Sequence, residues 1–161
     1  MTPRPTTEEV LLSVAGLWAL RGTCPRLSAG AVIATWEGHA VSAGYNGAPR
    51  GLDHCHAVGC LMEGGHCVRS VHAEENAILQ AARVGISVDG CVLYVTHRPC
   101  VRCAIKVVQV GIQEVVYARP YGSDGLTDHV AKVFMEASIS CRLGQPFKEV
   151  WRLGEPIEEA T

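Results

Sequence analysis

The sequence lacks any apolar run long enough to cross a lipid bilayer. Its longest apolar stretches, such as CVLYVT at 91–96, are far shorter than the roughly 20 residues that a membrane-spanning helix needs. The N-terminal segment MTPRPTTEEV is polar and includes acidic side chains, unlike a secretory signal or a transit peptide. We therefore expect a cytoplasmic protein with no membrane partner.

The sequence also lacks an excess of charge of either sign. Its 14 Lys and Arg residues against 16 Asp and Glu residues give a formal net charge of −2. Because a phosphate backbone attracts a basic surface, nucleic acid is not an expected partner of the chain as a whole. The hydrophobic fraction of 48% and the charged fraction of 19% are typical of a globular protein and exclude a disordered one.

Internal repeats and linker-like segments are absent as well, so the 161 residues are interpreted as one domain, 1–161, with a core over about 6–141. Helical periodicity and strand-like runs alternate along the chain. Their order predicts an α/β fold, a three-layer α/β/α sandwich whose sheet combines an antiparallel pair with parallel strands. The expected helices cover about 7–21, 71–84, 99–110 and 125–138, and the expected strands lie in a hairpin within 29–46 and at 91–96 and 114–118.

Cysteine, in contrast, is abundant. In a cytosolic protein, cysteines are more often metal ligands, catalytic groups or small buried apolar residues than disulfide partners. Cys91 and Cys141 stand alone in apolar segments and fit the last of these roles. The other six are Cys24, the pair Cys100 and Cys103, and the group Cys55, Cys60 and Cys67, which alternates with His54, His56 and His66. Clustering of that kind favours metal binding.

The segment RPCVRC at 98–103 places two cysteines at a predicted helix start. Pro99 pre-sets the first turn, and Cys100 and Cys103 lie three residues apart on one face. Unpaired backbone N–H groups and the helix dipole favour thiolates at that position. Two converging thiolates supply half of a tetrahedral zinc site, although a redox CxxC or two unrelated core thiols would give the same spacing.

The segment HAE at 72–74 opens another predicted helix. Alone, this pair of polar residues is as consistent with a solvated helix start as with a site, because the two side chains are separated by roughly 200° around a helix. Combined with Cys100 and Cys103, however, His72 completes three protein ligands and leaves a fourth position for water, the arrangement of catalytic zinc. Glu74, near the metal but not bound to it, would then transfer protons.

The combination of H-x-E with P-C-x-x-C is the signature of zinc-dependent nucleobase deaminases. Within that group the chain resembles the deoxycytidylate (dCMP) deaminase family from about residue 24 to 121. The segment GYNGAPRG at 44–51 is not general among cytidine deaminases and makes the resemblance more specific. The other matching segments are GAVIA (30–34), HCVRSVHAEENAILQAAR (66–83), LYVTHRPCVRCA (93–104) and GIQEVVYARPY (111–121). The resemblance implies the mixed five-stranded sheet of the cytidine deaminase-like fold.

The resemblance also implies the reaction and the residues that serve it. The reaction would be the hydrolysis of dCMP to dUMP and ammonia, with zinc-activated water attacking C4 of cytosine and Glu74 protonating N3 and the departing ammonia. The backbone N–H of Ala73 would meet the pyrimidine O2, and Asn46 would bind the sugar and phosphate. Arg26 and Tyr121 are further candidates for the phosphate contact.

Many members of the resembled family are homohexamers that dCTP activates and dTTP inhibits. By motif position, the effector-binding residues here would be Asn46, Gly47 and Arg83, and Mg²⁺ would accompany the triphosphate. Arg83 would equally suit a solvated cation in the last turn of a helix, where it favours the helix dipole.

The long segment 46–70 is rich in Gly, Cys and His and has no usable periodicity, so metal binding would explain its order better than burial. Relatives use ligands in this region for a structural zinc. By that resemblance, Cys24, Cys55 and His66 are the matching ligands. The fourth is either Cys60, which we take first, or Cys67. His54 and His56 are expected to be exposed.

Other functions remain to be weighed against this prediction. A tRNA adenosine deaminase shares HAE and PCxxC but needs a basic surface, and a riboflavin-pathway deaminase is often fused to a reductase. A related or modified pyrimidine nucleotide is an alternative substrate, because details of the pocket decide specificity. A non-catalytic zinc protein of the same fold would have no need for Glu74.

Overall fold

A mixed sheet of five strands forms the centre of the computed structural model, which describes residues 4–121 and 126–148. The first helix begins as predicted, with Thr6 and Glu9 forming a reciprocal capping box. The helices are α1 (Thr7–Ala19), α2 (Cys55–Val58), α3 (Ala73–Arg83), α4 (Val101–Gln109) and α5 (Leu126–Glu136). The strands are β1 (Gly30–Ala34), β2 (Ala40–Tyr45), β3 (Met62–Glu63), β4 (His66–Cys67), β5 (Val92–His97), β6 (Glu114–Arg119) and β7 (Ser140–Leu143).

The strand order in the large sheet is β2-β1-β5-β6-β7. Strand β1 runs antiparallel to both β2 and β5, whereas β5, β6 and β7 are parallel to one another. The carboxyl ends of β5 and β6 therefore lie side by side, with His97 opposite Arg119. The mixed five-stranded sheet is confirmed, and this edge is where parallel sheets commonly present their sites.

Alternate residues of the strands separate the core into two halves. On one face, Leu12 and Ala15 of α1 pack with Val32, Tyr94 and Val116. The opposite face packs against three helices. Its buried residues include Ala77 and Ala81 of α3, Val107 of α4, Phe134 of α5, and the strand residues Ile33, Leu93 and Val115. Helices thus cover both faces, which confirms the three-layer sandwich.

Two glycines let helices approach the sheet closely. A Cβ atom at Gly44 of β2 would collide with the backbone N of Ala77 in α3, and one at Gly30 of β1 would collide with the carbonyl oxygen of Ala15 in α1. Neither glycine could be replaced without moving a helix. Gly44 therefore fixes α3, whose N-terminal residues carry part of the site, directly on the sheet.

The structure adds elements that the sequence pattern did not reveal. Strand β7 is the fifth strand, at the exposed edge of the sheet, and the segment 46–70 contains α2 and the small hairpin β3–β4. Position 125, the expected start of the last helix, lies outside the described residues. None of the helices in the described residues has the length and apolar character needed to cross a membrane.

Candidate active site

Two helix starts bring three metal-binding side chains together. His72 is the N-cap residue of α3, Cys100 is the N-cap residue of α4, and Cys103 follows in the first turn of α4. The Nδ1 atom of His72 lies 3.5 Å from Sγ of Cys100 and 3.4 Å from Sγ of Cys103. All three ligand atoms lie within 4.8 Å of one another. The structure therefore brings the predicted trio together, although His72 precedes Cys100 by 28 residues and Cys103 by 31 residues.

The spacing of these atoms fits a tetrahedral zinc ion. Zinc bonds of about 2.0 Å to nitrogen and about 2.3 Å to sulfur, meeting at a tetrahedral angle, would separate the two ligand atoms by about 3.5 Å. The observed nitrogen–sulfur distances agree with that separation. One imidazole and two thiols also form a donor set that zinc prefers.

Hydrogen bonds within the trio already favour a thiolate. The Cys103 thiol donates to Cys100 and lowers the pKa of Cys100 to about 3, while the same contact and burial raise the pKa of Cys103. The pKa of His72 is raised, first by its hydrogen bond with Cys100. The lowered pKa of Cys100 favours its thiolate, the form in which cysteine binds a metal cation.

Glu74 lies directly behind this cluster, in the first turn of α3. Its side chain is buried, with 6% of the residue exposed, and burial raises the pKa of its carboxyl group. Ala73, also buried, contributes one of the first four N–H groups of the helix, which have no acceptor within the helix. A buried carboxyl group and a backbone N–H group thus lie next to His72 in the first turn of α3.

A cavity of about 580 Å³ opens onto the cluster. His72, Glu74 and Cys100 line it, together with Ala73. The structure also places the other predicted substrate residues, Arg26, Asn46 and Tyr121, on the wall of the same cavity. Arg98 lies there as well, and its side chain forms a hydrogen bond with the thiol of Cys141.

Asn46 has a structural role in addition to its place at the cavity. Its Oδ1 atom accepts a hydrogen bond of 2.7 Å from the backbone N–H of Ala29, and its Nδ2 atom donates to the carbonyl oxygen of Leu27. The residue is buried, with 6% exposed. The amide therefore joins the end of β2 to the segment that leads into β1, and so shapes the cavity wall.

One of the three predicted effector residues, Arg83, lies apart from the consecutive residues Asn46 and Gly47. Gly47 is buried and forms a backbone bridge with Val71, next to His72. Arg83 is exposed at the other end of α3, about 16 Å from His72 at 1.5 Å per residue, and bonds to Oε1 of Gln80. Arg83 is not among the residues that line the cavity.

A second cluster consists of four cysteines, Cys24, Cys55, Cys60 and Cys67, whose sulfurs all lie within 4.8 Å of one another. The Sγ atoms of Cys24 and Cys60 are 3.8 Å apart, and those of Cys55 and Cys67 are 3.6 Å apart. Two zinc–sulfur bonds of about 2.3 Å at a tetrahedral angle would place the sulfurs about 3.8 Å apart. The four thiols therefore fit a closed zinc site.

The predicted ligand His66 is not part of this cluster, and Cys67 takes its place. His66 and Cys67 are consecutive residues of β4, so their side chains point to opposite faces of the small hairpin. Cys67 faces the other sulfurs, whereas His66 is exposed and lines the cavity. His54 and His56 are exposed, as predicted.

The thiols of this cluster have unequal acidities. Burial raises the pKa of Cys55 and that of Cys60, the latter to about 12. At Cys67 burial acts in the same direction, but hydrogen bonds, the strongest from the backbone N–H of Arg69, lower the pKa to about 7. Four thiols in such close contact cannot all ionise without a cation, which a divalent metal would supply.

Two further residues line the cavity beside the predicted ones. His97 ends β5, three residues before Cys100, and Arg98 follows it; both line the cavity. The signal was available in the segment VTHRPC, because a polar residue that directly follows a buried strand lies at the sheet edge where the site forms. Of the two isolated cysteines, Cys91 is buried as predicted, while Cys141 is only partly buried.

Comparison with known proteins agrees with this geometry. Residues 5–119 match the family model described as the cytidine and deoxycytidylate deaminase zinc-binding region. The chain is 45% identical over 137 residues to ComE operon protein 2 of Bacillus subtilis, covering 85% of this chain and 70% of the relative. It is 37% identical over 145 residues to deoxycytidylate deaminase of Saccharomyces cerevisiae, covering 86% of this chain but only 45% of the yeast protein.

One solved structure shares this fold over nearly the full length of the solved chain. The crystal structure of dCMP deaminase from the cyanophage S-TIM5, in complex with dCMP and dUMP, superimposes with a TM-score of 0.73 at 27% identity. The match covers 88% of this chain and 99% of the phage protein. With the family match across 5–119 and the ligand trio in place, the chain belongs to the family of zinc-dependent cytidine and deoxycytidylate deaminases.

Proposed function

We propose that the protein catalyses the hydrolysis of dCMP to dUMP and ammonia. The observation that carries the proposal is the cavity in which buried Glu74 adjoins the His72, Cys100 and Cys103 trio while Arg26 and Arg98 border the same space. The reaction consumes one water: a bond forms between its oxygen and C4 of cytosine, and the bond from C4 to the amino nitrogen breaks. The phage enzyme whose fold this chain shares was crystallised with this substrate and product.

The residues around the trio have distinct proposed roles. His72, Cys100 and Cys103 would hold a zinc ion, which when bound supplies the acidity that ionises water near neutral pH. Glu74 would accept the proton from that water, deliver it to N3 of the ring, and then transfer a proton to the departing amino group. The N–H of Ala73 would donate to the pyrimidine O2 and orient the ring.

Arg26, Arg98 and Tyr121, which line the cavity, would bind the 5′-phosphate. They would offer it positive charge and a hydroxyl group. Arg26 is held by a hydrogen bond of 3.2 Å from its guanidinium to the carbonyl oxygen of Gly65, on the loop that carries His66. A deaminase of free nucleosides has no need for such cationic groups, and this favours a nucleotide substrate.

Ultraviolet-monitored deamination of cytidine, deoxycytidine, CMP, dCMP and dCTP tests the proposal. We expect dCMP to be the preferred substrate by at least about tenfold in kcat/KM, because one charge-assisted phosphate contact has that effect. Equal rates with deoxycytidine would contradict a phosphate-binding site. Inactivity toward the whole panel in a zinc-loaded protein would contradict the substrate and direct the search to modified pyrimidine nucleotides.

We further propose that the four cysteines Cys24, Cys55, Cys60 and Cys67 bind a second, structural zinc ion. Four ligands leave no open position, and the segment 46–70 contains few buried apolar side chains that would otherwise order it. Cys24 and Cys67 also line the cavity. Such a zinc ion would therefore support one wall of the substrate site without taking part in the reaction.

Regulation and assembly form the last part of the proposal. A single cytoplasmic deaminase domain, a homohexamer, activation by dCTP with Mg²⁺ and inhibition by dTTP would follow from the resemblance to regulated family members. The buried position of Gly47 beside Val71 links the proposed effector loop to the residue that precedes His72. Repeating the dCMP assay with each triphosphate and MgCl₂, alongside size-exclusion chromatography with light scattering, tests these points. A monomer indifferent to both triphosphates would contradict them.

A further inference from the structure

His97 occupies a position at the cavity that neither the zinc chemistry nor Glu74 requires. It is the last residue of β5, and it lines the cavity together with His72, Glu74 and Cys100. Its imidazole is partly buried rather than free in solvent. A polar ring fixed at the wall of a substrate cavity can recognise a ligand only if its hydrogen-bonding pattern is defined, so the partners of its two nitrogens matter.

The neighbouring threonine contacts one of the two ring nitrogens. The buried Oγ1 atom of Thr96 accepts a hydrogen bond of 3.1 Å from the backbone N–H of Gly30, since an amide N–H can only donate. The same oxygen lies 3.0 Å from Nδ1 of His97. Donation of the hydroxyl hydrogen of Thr96 to Nδ1 would give that hydrogen an acceptor, and the neutral ring would then carry its own hydrogen on Nε2.

Two further neighbours hold the ring in place and neutral. The ring of Tyr121 packs edge-on against it, with centroids 6.3 Å apart and planes inclined by 75°. Arg119 is opposite His97 on the adjacent parallel strand. Burial, and after it the charge of Arg119, lowers the pKa of His97. The imidazole is thus kept in its uncharged form with one N–H to offer.

We propose that His97 is a substrate-positioning residue whose Nε2–H donates to a phosphate oxygen of the nucleotide, with Thr96 fixing the tautomer through Nδ1. With Nδ1 in contact with Thr96, Nε2 is the ring nitrogen left to bind a ligand, and Arg98 and Tyr121 line the same cavity as His97. The inference rests on the proposed deamination of a pyrimidine nucleotide. His97 would add an uncharged hydrogen-bond donor to the site. Because a hydrogen bond is directional, this donor would select for the position of the phosphate and not only for its charge.

Side-chain replacement separates this role from a structural one. His97→Leu is expected to lower kcat/KM for dCMP by roughly ten- to hundredfold, mainly through KM, and to leave kcat/KM for deoxycytidine within about twofold. His97→Gln keeps an N–H group near the position of Nε2 and should retain most of the activity toward dCMP. His97→Asn places its amide near Nδ1 instead and should behave like His97→Leu. His39→Leu, at an exposed histidine in the β1–β2 turn, is the matched control.

A long-range ¹H–¹⁵N spectrum of histidine-labelled zinc enzyme reports the tautomer independently of turnover. We expect the Nε2–H form for His97, a shift of its Nε2 signal on adding dCMP, and no such shift with deoxycytidine. Two results would overturn the role of His97. One is an Nδ1–H tautomer, and the other is an equal fall in kcat/KM for dCMP and deoxycytidine in His97→Leu. If the wild-type protein does not deaminate dCMP, only the proposed function is overturned. The shift of the His97 Nε2 signal on adding dCMP still decides whether His97 binds the phosphate.

Discussion

The two cysteine clusters of this protein are built in opposite ways. The trio of His72, Cys100 and Cys103 stands at the N-terminal ends of α3 and α4, which are packed against the sheet. The four-cysteine cluster joins Cys24 to residues of 46–70, where only the short helix α2 and the two-residue strands β3 and β4 are regular. The first is positioned by packing, whereas the second has little packing around it.

This difference in packing is consistent with the number of ligands, which is three in one cluster and four in the other. Three ligands on a frame packed against the sheet leave a fourth position open for water or substrate. Four ligands on a poorly packed loop complete a closed site, whose binding energy can order the loop. In the proposed function, catalysis and loop order would therefore depend on separate clusters that border the same cavity.

The largest expected effect is at the packed cluster. Glu74→Gln should lower kcat for dCMP by about 10²–10⁴-fold, the usual contribution of a general acid–base group, because the amide cannot transfer the protons. Zinc content should stay unchanged, since Glu74 is not a ligand in the trio. Initial-rate assays together with metal analysis test both points.

Glu75→Gln is the matched control for that substitution, because Glu75 is the neighbouring acid but is partly exposed and paired with Lys106. Its kcat should remain within a few-fold of the wild type. A Glu74→Gln enzyme with nearly normal turnover would remove Glu74 from the mechanism.

At the loop cluster, Cys67→Ser should reduce bound zinc from about two ions to about one per chain, because a closed structural site requires all four ligands. His66→Ala should keep both ions, because His66 points away from the sulfurs. Limited proteolysis should then cleave 46–70 faster in Cys67→Ser than in His66→Ala. Loss of an ion from His66→Ala, with both retained by Cys67→Ser, would restore the ligand set first predicted from the sequence.

The smallest effect concerns the contact between the two packed helices. The Nζ atom of Lys106 on α4 lies 2.6 Å from Oε1 of Glu75 on α3, but their side chains are 41% and 30% exposed. Lys106→Met should therefore lower the free energy of unfolding by less than about 1 kcal/mol. Urea denaturation of the zinc-loaded protein measures this, and a loss of several kcal/mol would show that the pair, rather than apolar packing, holds the trio together.

Most of the packed region could be predicted from the sequence, because its helices and strands follow regular apolar periodicities. Strand β7 was missed since its residues Ser140–Leu143 lie at the sheet edge and are largely exposed, so no alternation of apolar side chains marks them. His66 was predicted as a ligand and Cys67 only as an alternative to Cys60, because the choice between His66 and Cys67 depends on which face of a two-residue strand each side chain occupies.

The sequence by itself determined the chemistry: the residue types of HAE and PCxxC, their places at helix starts, and the family to which they belong. Local spacing is sufficient there, because helix N-termini fix the direction of nearby side chains. Only the tertiary structure decided which cysteine sulfurs between residues 24 and 67 form the four-cysteine cluster. It also decided that Asn46 joins two backbone segments and that His97 lines the cavity. Those outcomes depend on contacts between residues distant in the chain, which only the packing of the sheet and the register of its strands can specify.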